Sequence, residues 1–212
     1  MRLLYKMKSL ALTTCSVFLV VGTLSAQEVS RFSFELGAGF TEPVGNTANY
    51  LDNYGWNLQG GVGYNFSSHF GVMGELGYNS LGISSTTLNN IGYSGGGFHV
   101  FSATVDPIVH LTPKGHFDLY AIGGGGLYHV NEDFSAAAGA VITPFSGGSF
   151  QLIEPTNGLS YSENKPGFNA GMGVAFGTKW HGKIFAEARY VHIFTNSNMR
   201  ADYVPVTFGF RW

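Results

Sequence analysis

The last ten residues read Tyr203-Val204-Pro205-Val206-Thr207-Phe208-Gly209-Phe210-Arg211-Trp212. Counted back from the end, Trp212, Phe210, Phe208, Val206 and Val204 are large and apolar. Between them stand Arg211, Gly209, Thr207 and Pro205, which are polar, small or ring-closed. A period of two puts the first set on one face of a β-strand and the second on the other. Two settings suit such a strand: the edge of a soluble sandwich, or a wall with lipid on one side and a polar interior on the other. The choice turns on whether the rest of the chain repeats the pattern.

Composition favours the second setting. Only 11% of the 212 residues are charged, against a usual ~25%, so a soluble surface would be short of solubilising groups. There are 31 glycines, and aromatics make up 15%. The first 26 residues carry Arg2, Lys6 and Lys8, then a mostly apolar run from Leu10 to Val21, then Leu24-Ser25-Ala26. That order is a secretory signal, expected to be cleaved after Ala26 or Ser25. The single cysteine, Cys15, lies inside it and ahead of most of the apolar run, the wrong order for a lipoprotein signal. The mature chain, residues 27–212, is therefore expected to form one domain without thiol, disulfide or cysteine metal ligand. Eight basic residues against thirteen acidic ones remain in it, which argues against nucleic acid as a partner. Beyond the signal no apolar run reaches the ~18 residues that a membrane-spanning helix needs.

Dyad alternation recurs along the chain. Phe32, Phe34, Leu36, Ala38 and Phe40 share a face opposite Arg31, Ser33, Glu35, Gly37 and Gly39. Trp56, Leu58, Gly60, Val62, Tyr64 and Phe66 lie opposite Asn57, Gln59, Gly61, Gly63 and Asn65. Phe70, Val72, Gly74, Leu76 and Tyr78 follow after three residues, a hairpin spacing. A fourth strand, about 98–111, sets Phe101, Ala103, Val105, Pro107, Val109 and Leu111 outward, with Ser102, Thr104, Asp106 and His110 inward and Ile108 as an apolar exception. The fifth, Phe117 to Val130, is interrupted by Gly123-Gly124-Gly125-Gly126; Tyr120, Ile122, Tyr128 and Val130 are assigned outward. Four glycines in a strand signal room for a bulky neighbour inside. The sixth sets Phe168, Ala170, Met172, Val174 and Phe176 against Asn169 and small residues, and the seventh sets Ile184, Ala186, Ala188 and Tyr190 against Phe185, Glu187, Arg189 and Val191.

Loop length sorts by parity. Connections one, three, five and seven span about 15, 16, 36 and 8 residues; two, four and six span about 3, 5 and 6. A sandwich has no reason to alternate in this way, whereas a barrel with both termini on one side of a membrane does. In the longest connection, residues 131–166, the apolar pieces Ala140–Ile142 and Phe150–Ile153 are expected either to extend strands or to form a small hairpin. The expected fold is an all-β, eight-stranded antiparallel up-and-down transmembrane barrel.

On these features the chain resembles the eight-stranded OmpA-like and OmpX-like outer-membrane barrel superfamily over residues 30–212. The carriers are Phe208-Gly209-Phe210-Arg211-Trp212, the segment Tyr120-Ala121-Ile122-Gly123-Gly124-Gly125-Gly126 and the dyad repeats. The resemblance implies an outer-membrane location, with periplasmic termini and extracellular long loops. It implies as partners the outer-membrane lipid with its lipopolysaccharide and the insertion machinery, which would read Val204, Val206, Phe208, Phe210 and Trp212 as its signal. No periplasmic peptidoglycan-binding domain is expected to follow, since the chain stops at the barrel. The resemblance carries no biochemical activity.

The inward faces gather Arg31, Glu35, Gln59, Glu75, Asp106, Asn169, Glu187, Arg189 and Arg211. An eight-strand interior is just wide enough for side chains to fill, and buried charges must pair. A neutralising network of Arg31, Glu35, Glu75, Asp106, Glu187 and Arg189 is expected, centred on Glu187 and Arg189, with Arg211 at the water-accessible mouth. The alternative use of a polar lumen is a narrow channel for small solutes. A third reading compares the stretch around His192 with outer-membrane lipid A deacylases, barrels whose lipid-facing histidine precedes a serine by two residues. Here Phe194 fills the serine's place, no glutamate follows Glu187, and only a displaced Ser197 is at hand, so no catalytic residue is assigned. The seven histidines show no metal-ligand spacing, and neither metal nor cofactor is expected.

Overall fold

The computed structural model describes residues 31–52, 54–113, 117–136, 141–144, 150–153, 158–178, 182–195 and 201–212. The proposed signal lies outside them. Among the described residues ten strands form: β1 (Phe32–Pro43), β2 (Gly55–Asn65), β3 (Phe70–Gly82), β4 (Tyr93–His110), β5 (Phe117–Ala136), β6 (Val141–Pro144), β7 (Phe150–Ile153), β8 (Leu159–Gly177), β9 (Lys183–Ile193) and β10 (Ala201–Arg211). A 3-10 turn, Gly45–Asn49, follows β1, and helix α1, Ser85–Ile91, lies between β3 and β4. Ser84 caps α1 by accepting from the Thr87 amide, and Gly92 ends it in the left-handed region at φ 79°, where a Cβ is penalised.

Eight strands close a barrel in the order β1-β10-β9-β8-β5-β4-β3-β2, and every pair is antiparallel. The seam is β1 against β10, from Glu35↔Arg211 to Pro43↔Tyr203. One further pair closes it at the chain end. Phe34 donates its amide to the Trp212 carbonyl at 2.8 Å, and Trp212 returns the bond at 2.9 Å. Among the described residues the ring of strand pairings is thus closed, as lipid requires of a spanning sheet.

Alternation holds as expected on β1, β2, β3, β8, β9 and β10. Phe32, Leu36, Leu58, Val62, Leu76, Val105, Met172, Ile184 and Phe208 stand exposed on the outer wall, and the residues between them turn inward. A wall of this kind is stable only in a non-aqueous phase.

Two departures from the sequence expectations, and one choice between expected alternatives, follow. First, β4, β5 and β8 run to 18, 20 and 19 residues, against 11–13 for the other barrel strands. Parts of the expected loops at 82–97 and 131–166 are therefore strand, and β5 and β8 pair out to Phe134↔Leu159. These parts are polar and exceed the ~9–11 residues that a strand needs to cross a bilayer. Second, β6 and β7 pair as a small separate hairpin, which selects one of the two expectations for that stretch. Third, Tyr120, Ile122, Tyr128 and Val130 point inward, not outward, at 0–4% exposure. β5 carries apolar residues on both faces, so alternation cannot phase it, and its inward face fills the barrel core.

That core is layered. At the long-loop end Phe98, Val100, Tyr128, Val130, Val191, Ile193 and Tyr203 pack with Leu51, Leu81, Ile83 and Leu88. At the short-turn end Met73, Ile108, Tyr120, Ile122, Ala175 and Phe185 form a second cluster. Ile108 breaks the polar pattern of β4 because it belongs to this cluster.

Candidate functional site

Between the two apolar layers lies a band of charge. Arg189 of β9 sends Nη1 and Nη2 to both oxygens of Glu75 on β3, at 2.5 and 2.7 Å. Its Nε donates to Glu187 on the same strand, and Nη1 lies 3.2 Å from Asp106 Oδ2 on β4. Asp106 also accepts from Thr104 at 2.6 Å and from Asn169 Nδ2 of β8 at 2.7 Å. The fork geometry of a guanidinium suits this convergence. Three carboxylates and one guanidinium, all at 7% exposure or less, occupy the middle of the lumen.

Beside this centre run two further polar groups. Glu35 of β1 accepts from Arg211 Nε at 2.9 Å, and Gln59 Nε2 lies 3.5 Å from its other oxygen. The Arg211 guanidinium sits 4.8 Å from the Tyr120 ring centre and 5.2 Å from that of Phe185. Toward the long loops, Thr207 donates to Asn57 at 2.9 Å and Thr41 to Asn79 at 2.7 Å.

The positions singled out from the sequence divide as follows. Glu35, Glu75, Asp106, Glu187 and Arg189 are buried in the lumen. Arg31 is not: it is exposed, just ahead of β1, because the inward phase of β1 leaves the barrel before reaching it. Arg211 departs the other way. Expected at a wet mouth, it is 6% exposed, because Tyr120 and Phe185 cover it. Val204, Val206, Phe208, Phe210 and Trp212 share the outer phase of β10, and Trp212 stacks on Phe34 of β1 with centroids 6.3 Å apart. Ser197 lies outside the described residues.

Several functional groups escaped sequence reasoning. Asp118, 1% exposed, accepts from Lys183 Nζ at 2.9 Å and faces His110 Nδ1 at 2.8 Å. It shares the inward phase of Tyr120, and the wrong phase for β5 concealed both. His192, on the outer wall, has an acid partner after all: Asp202 of β10, 2.5 Å from Nδ1, which also accepts from the Tyr190 hydroxyl at 2.8 Å. The acid comes from a neighbouring strand through the register His192↔Asp202, which sequence order does not display. Phe168 packs tilted, and Phe194 edge-on, against the imidazole. No serine joins this cluster among the described residues. Among the described residues no group of three His, Cys, Asp or Glu forms a metal-binding set.

The glycines give the lumen its room. A Cβ on Gly173 would fall on the Tyr120 ring, one on Gly167 on the Tyr128 ring at 2.8 Å, and one on Gly61 between the side chains of Glu75 and Glu35. In the run at 123–126, Gly124 faces Asp106, whose Oδ1 would lie 2.6 Å from such a carbon. Along the run itself, the atom nearest such a carbon is in each case a backbone carbonyl oxygen of a neighbouring strand, and Gly124 alone also meets a charged side chain.

The model of the family described as outer membrane protein beta-barrel domain matches residues 11–211. Among solved structures, the chain is similar to Neisserial surface protein A, with 13% identity and a TM-score of 0.54 over 87% of this chain and 98% of that one. A major outer membrane protein from Thermus thermophilus gives 10% identity and a TM-score of 0.51 over 85% and 97%. Ail, the attachment invasion locus protein of Yersinia pestis, gives 18% and 0.47 over 85% and 96%. Among curated proteins no sequence relative matches. The likenesses in structure concern the fold.

Proposed function

The chain belongs to the outer membrane protein beta-barrel domain family, and from that premise we propose that it is a non-enzymatic outer-membrane barrel, closed along its axis, that works through its outer surface in a structural, adhesive or membrane-maintenance role. The observation that carries this reading is the Arg189 centre held between two apolar layers. An ion crossing the lumen would have to displace both layers and break a bidentate ion pair. A barrel that spends its interior on packing has its walls and its projecting strands left for function. Residues 1–26 serve as the secretory signal in this reading, with both termini periplasmic and the long-loop end, where β4, β5 and β8 project, outside. The outer face of β10 from Val204 to Trp212 is what the insertion machinery reads, and lipid with lipopolysaccharide surrounds the wall.

Planar-bilayer recording tests the closed lumen. The expected trace for the refolded protein is flat, with openings appearing only when Arg189 is replaced. Steady openings in the unaltered protein, abolished by Glu187→Leu, would establish the narrow channel instead. A lipid hydrolase at His192 is a separate matter: loss of acyl chains from lipid A on expression, absent in His192→Ala, would establish it.

A further inference from the structure

The outer wall changes character near the long-loop end. On β2, β3, β4 and β5 the outward positions Leu58, Leu76, Ala103 and Leu127 are apolar. Above them, aromatic and polar side chains follow one another from strand to strand. Trp56 packs on Tyr78 at 5.2 Å between ring centres, and Tyr78 stacks on His99 at 6.1 Å and 13°. The Tyr78 hydroxyl lies 3.0 Å from His99 Nδ1, and His99 Nε2 lies 3.1 Å from Asp133 Oδ1.

Pairing registers extend this row into a grid. Asp133, Asn131 and His129 of β5 lie between Gly97, His99 and Phe101 of β4 and Ser160, Ser162 and Asn164 of β8. Asn164 Oδ1 is 2.9 Å from His129 Nδ1, and the Ser160 hydroxyl donates to Asn131 at 3.3 Å. The grid is open: His99 and Asp133 keep 31% and 46% of their side-chain surface, and His129, Ser160, Ser162 and Asn164 are exposed.

We infer that this outward grid, centred on Asn131 and Asp133 with His99 and His129 beside them, binds the sugar moiety of an outer-leaflet glycolipid. Three observations select that occupant. The grid continues upward from the lipid-facing wall, so whatever stands against the apolar positions has its headgroup here. Its groups are carboxylate, carboxamide, imidazole and hydroxyl beside flat rings, the set that meets vicinal hydroxyls and the apolar face of a pyranose. Finally, no described lysine or arginine shares the face. Lys165, beside Asn164 on β8, belongs to the inward phase and pairs with Glu163 at 3.0 Å, so phosphate, which seeks guanidinium or ammonium groups, is not the favoured ligand. The inference rests on the outer-membrane orientation proposed above.

Native mass spectrometry of the protein in detergent micelles tests it, with two probes: lipopolysaccharide bearing its full core, and lipid A, which keeps acyl chains and phosphates and lacks the core sugars. The unaltered protein is expected to hold the full-core molecule about tenfold more tightly. The pair Asn131→Ala with Asp133→Ala removes the preference, while Tyr161→Ala, on the opposite face of the same projecting strands, keeps it. Equal binding of both probes by the unaltered protein, or a preference that survives the double substitution, overturns the proposal. So does a preference lost equally in Tyr161→Ala. Heat-modifiable gel migration and the flat bilayer trace are read on the same samples, so failure of the sugar site is distinguished from failure of the closed-barrel reading.

Discussion

Arg189 and Glu75 stand on β9 and β3, four places apart in a ring of eight strands, and meet through two hydrogen bonds of 2.5 and 2.7 Å. Four places is the largest separation such a ring permits. The ion pair therefore spans the lumen and ties opposite walls together, while Glu187 and Asp106 hold the guanidinium from the sides.

Replacing Arg189 with leucine leaves three carboxylates facing each other without their cation. Breaking a buried pair from one side costs about 3–5 kcal/mol. Equilibrium urea unfolding of the refolded barrel in lipid vesicles should show a loss of that size. Removing Glu75, Asp106 and Glu187 as well, as leucine, asparagine and glutamine, should recover most of it, because no uncompensated charge is then buried. A loss below ~1 kcal/mol in the single variant would mean that water already reaches the site.

Trp212 completes the β1 seam through its backbone and packs on both Phe34 and Phe210. Trp212→Ala combined with Phe210→Ala is expected to lower the yield of heat-modifiable barrel in the membrane fraction several-fold in cells. Refolding of the purified chain into detergent should suffer far less. Equal losses in both assays would assign the two rings to stability alone and remove their role as an insertion signal.

Gly173 faces the Tyr120 ring, with no room for a methyl group. Gly173→Ala should destabilise the barrel by about 1–3 kcal/mol through overpacking. Tyr120→Leu, introduced with it, should return part of the loss. The check is again the urea midpoint, with the slope unchanged. An alanine accepted without cost would show that Tyr120 has another rotamer at hand.

Glu132, on the part of β5 that projects past the end of β9, carries a carboxyl raised above the usual range by burial and then by the nearby charge of Glu163. A raised value means that the folded form binds its proton more tightly than the unfolded one. Its contribution to stability is complete below the ordinary glutamate pKa and is lost as pH rises through the raised value. Amide exchange at residues 131–134 and 159–163, corrected for intrinsic rates, should thus report looser pairing as pH rises across that window. Glu132→Gln should flatten the profile. A profile already flat in the unaltered protein would contradict this account.

The legible and illegible parts of the molecule differ in kind. Strands such as β1 and β10 are readable to within a few residues, because one face meets apolar surroundings and the other the lumen, and alternation records that difference directly. β5 misleads because both its faces are apolar: Leu119 and Leu127 face outward while Tyr120, Ile122 and Tyr128 fill the core. The projecting ends of β4, β5 and β8 read as loops because polar and small residues there leave no apolar face for alternation to record.

The ten residues from Tyr203 to Trp212 illustrate the division. Their order alone determined a two-faced strand, and with seven similar runs, alternating loop lengths and a low charge content it determined a barrel wall. A local pattern suffices there, because the solvent on each side acts on one residue at a time. Only the closed ring decided that Arg211 lies beneath Tyr120 and Phe185 rather than in water, that Arg189 reaches Glu75 on the far wall, and that Asp202 orients His192. Those contacts depend on strand register and on side chains meeting across the lumen or between neighbouring strands, distances that no spacing along the chain encodes.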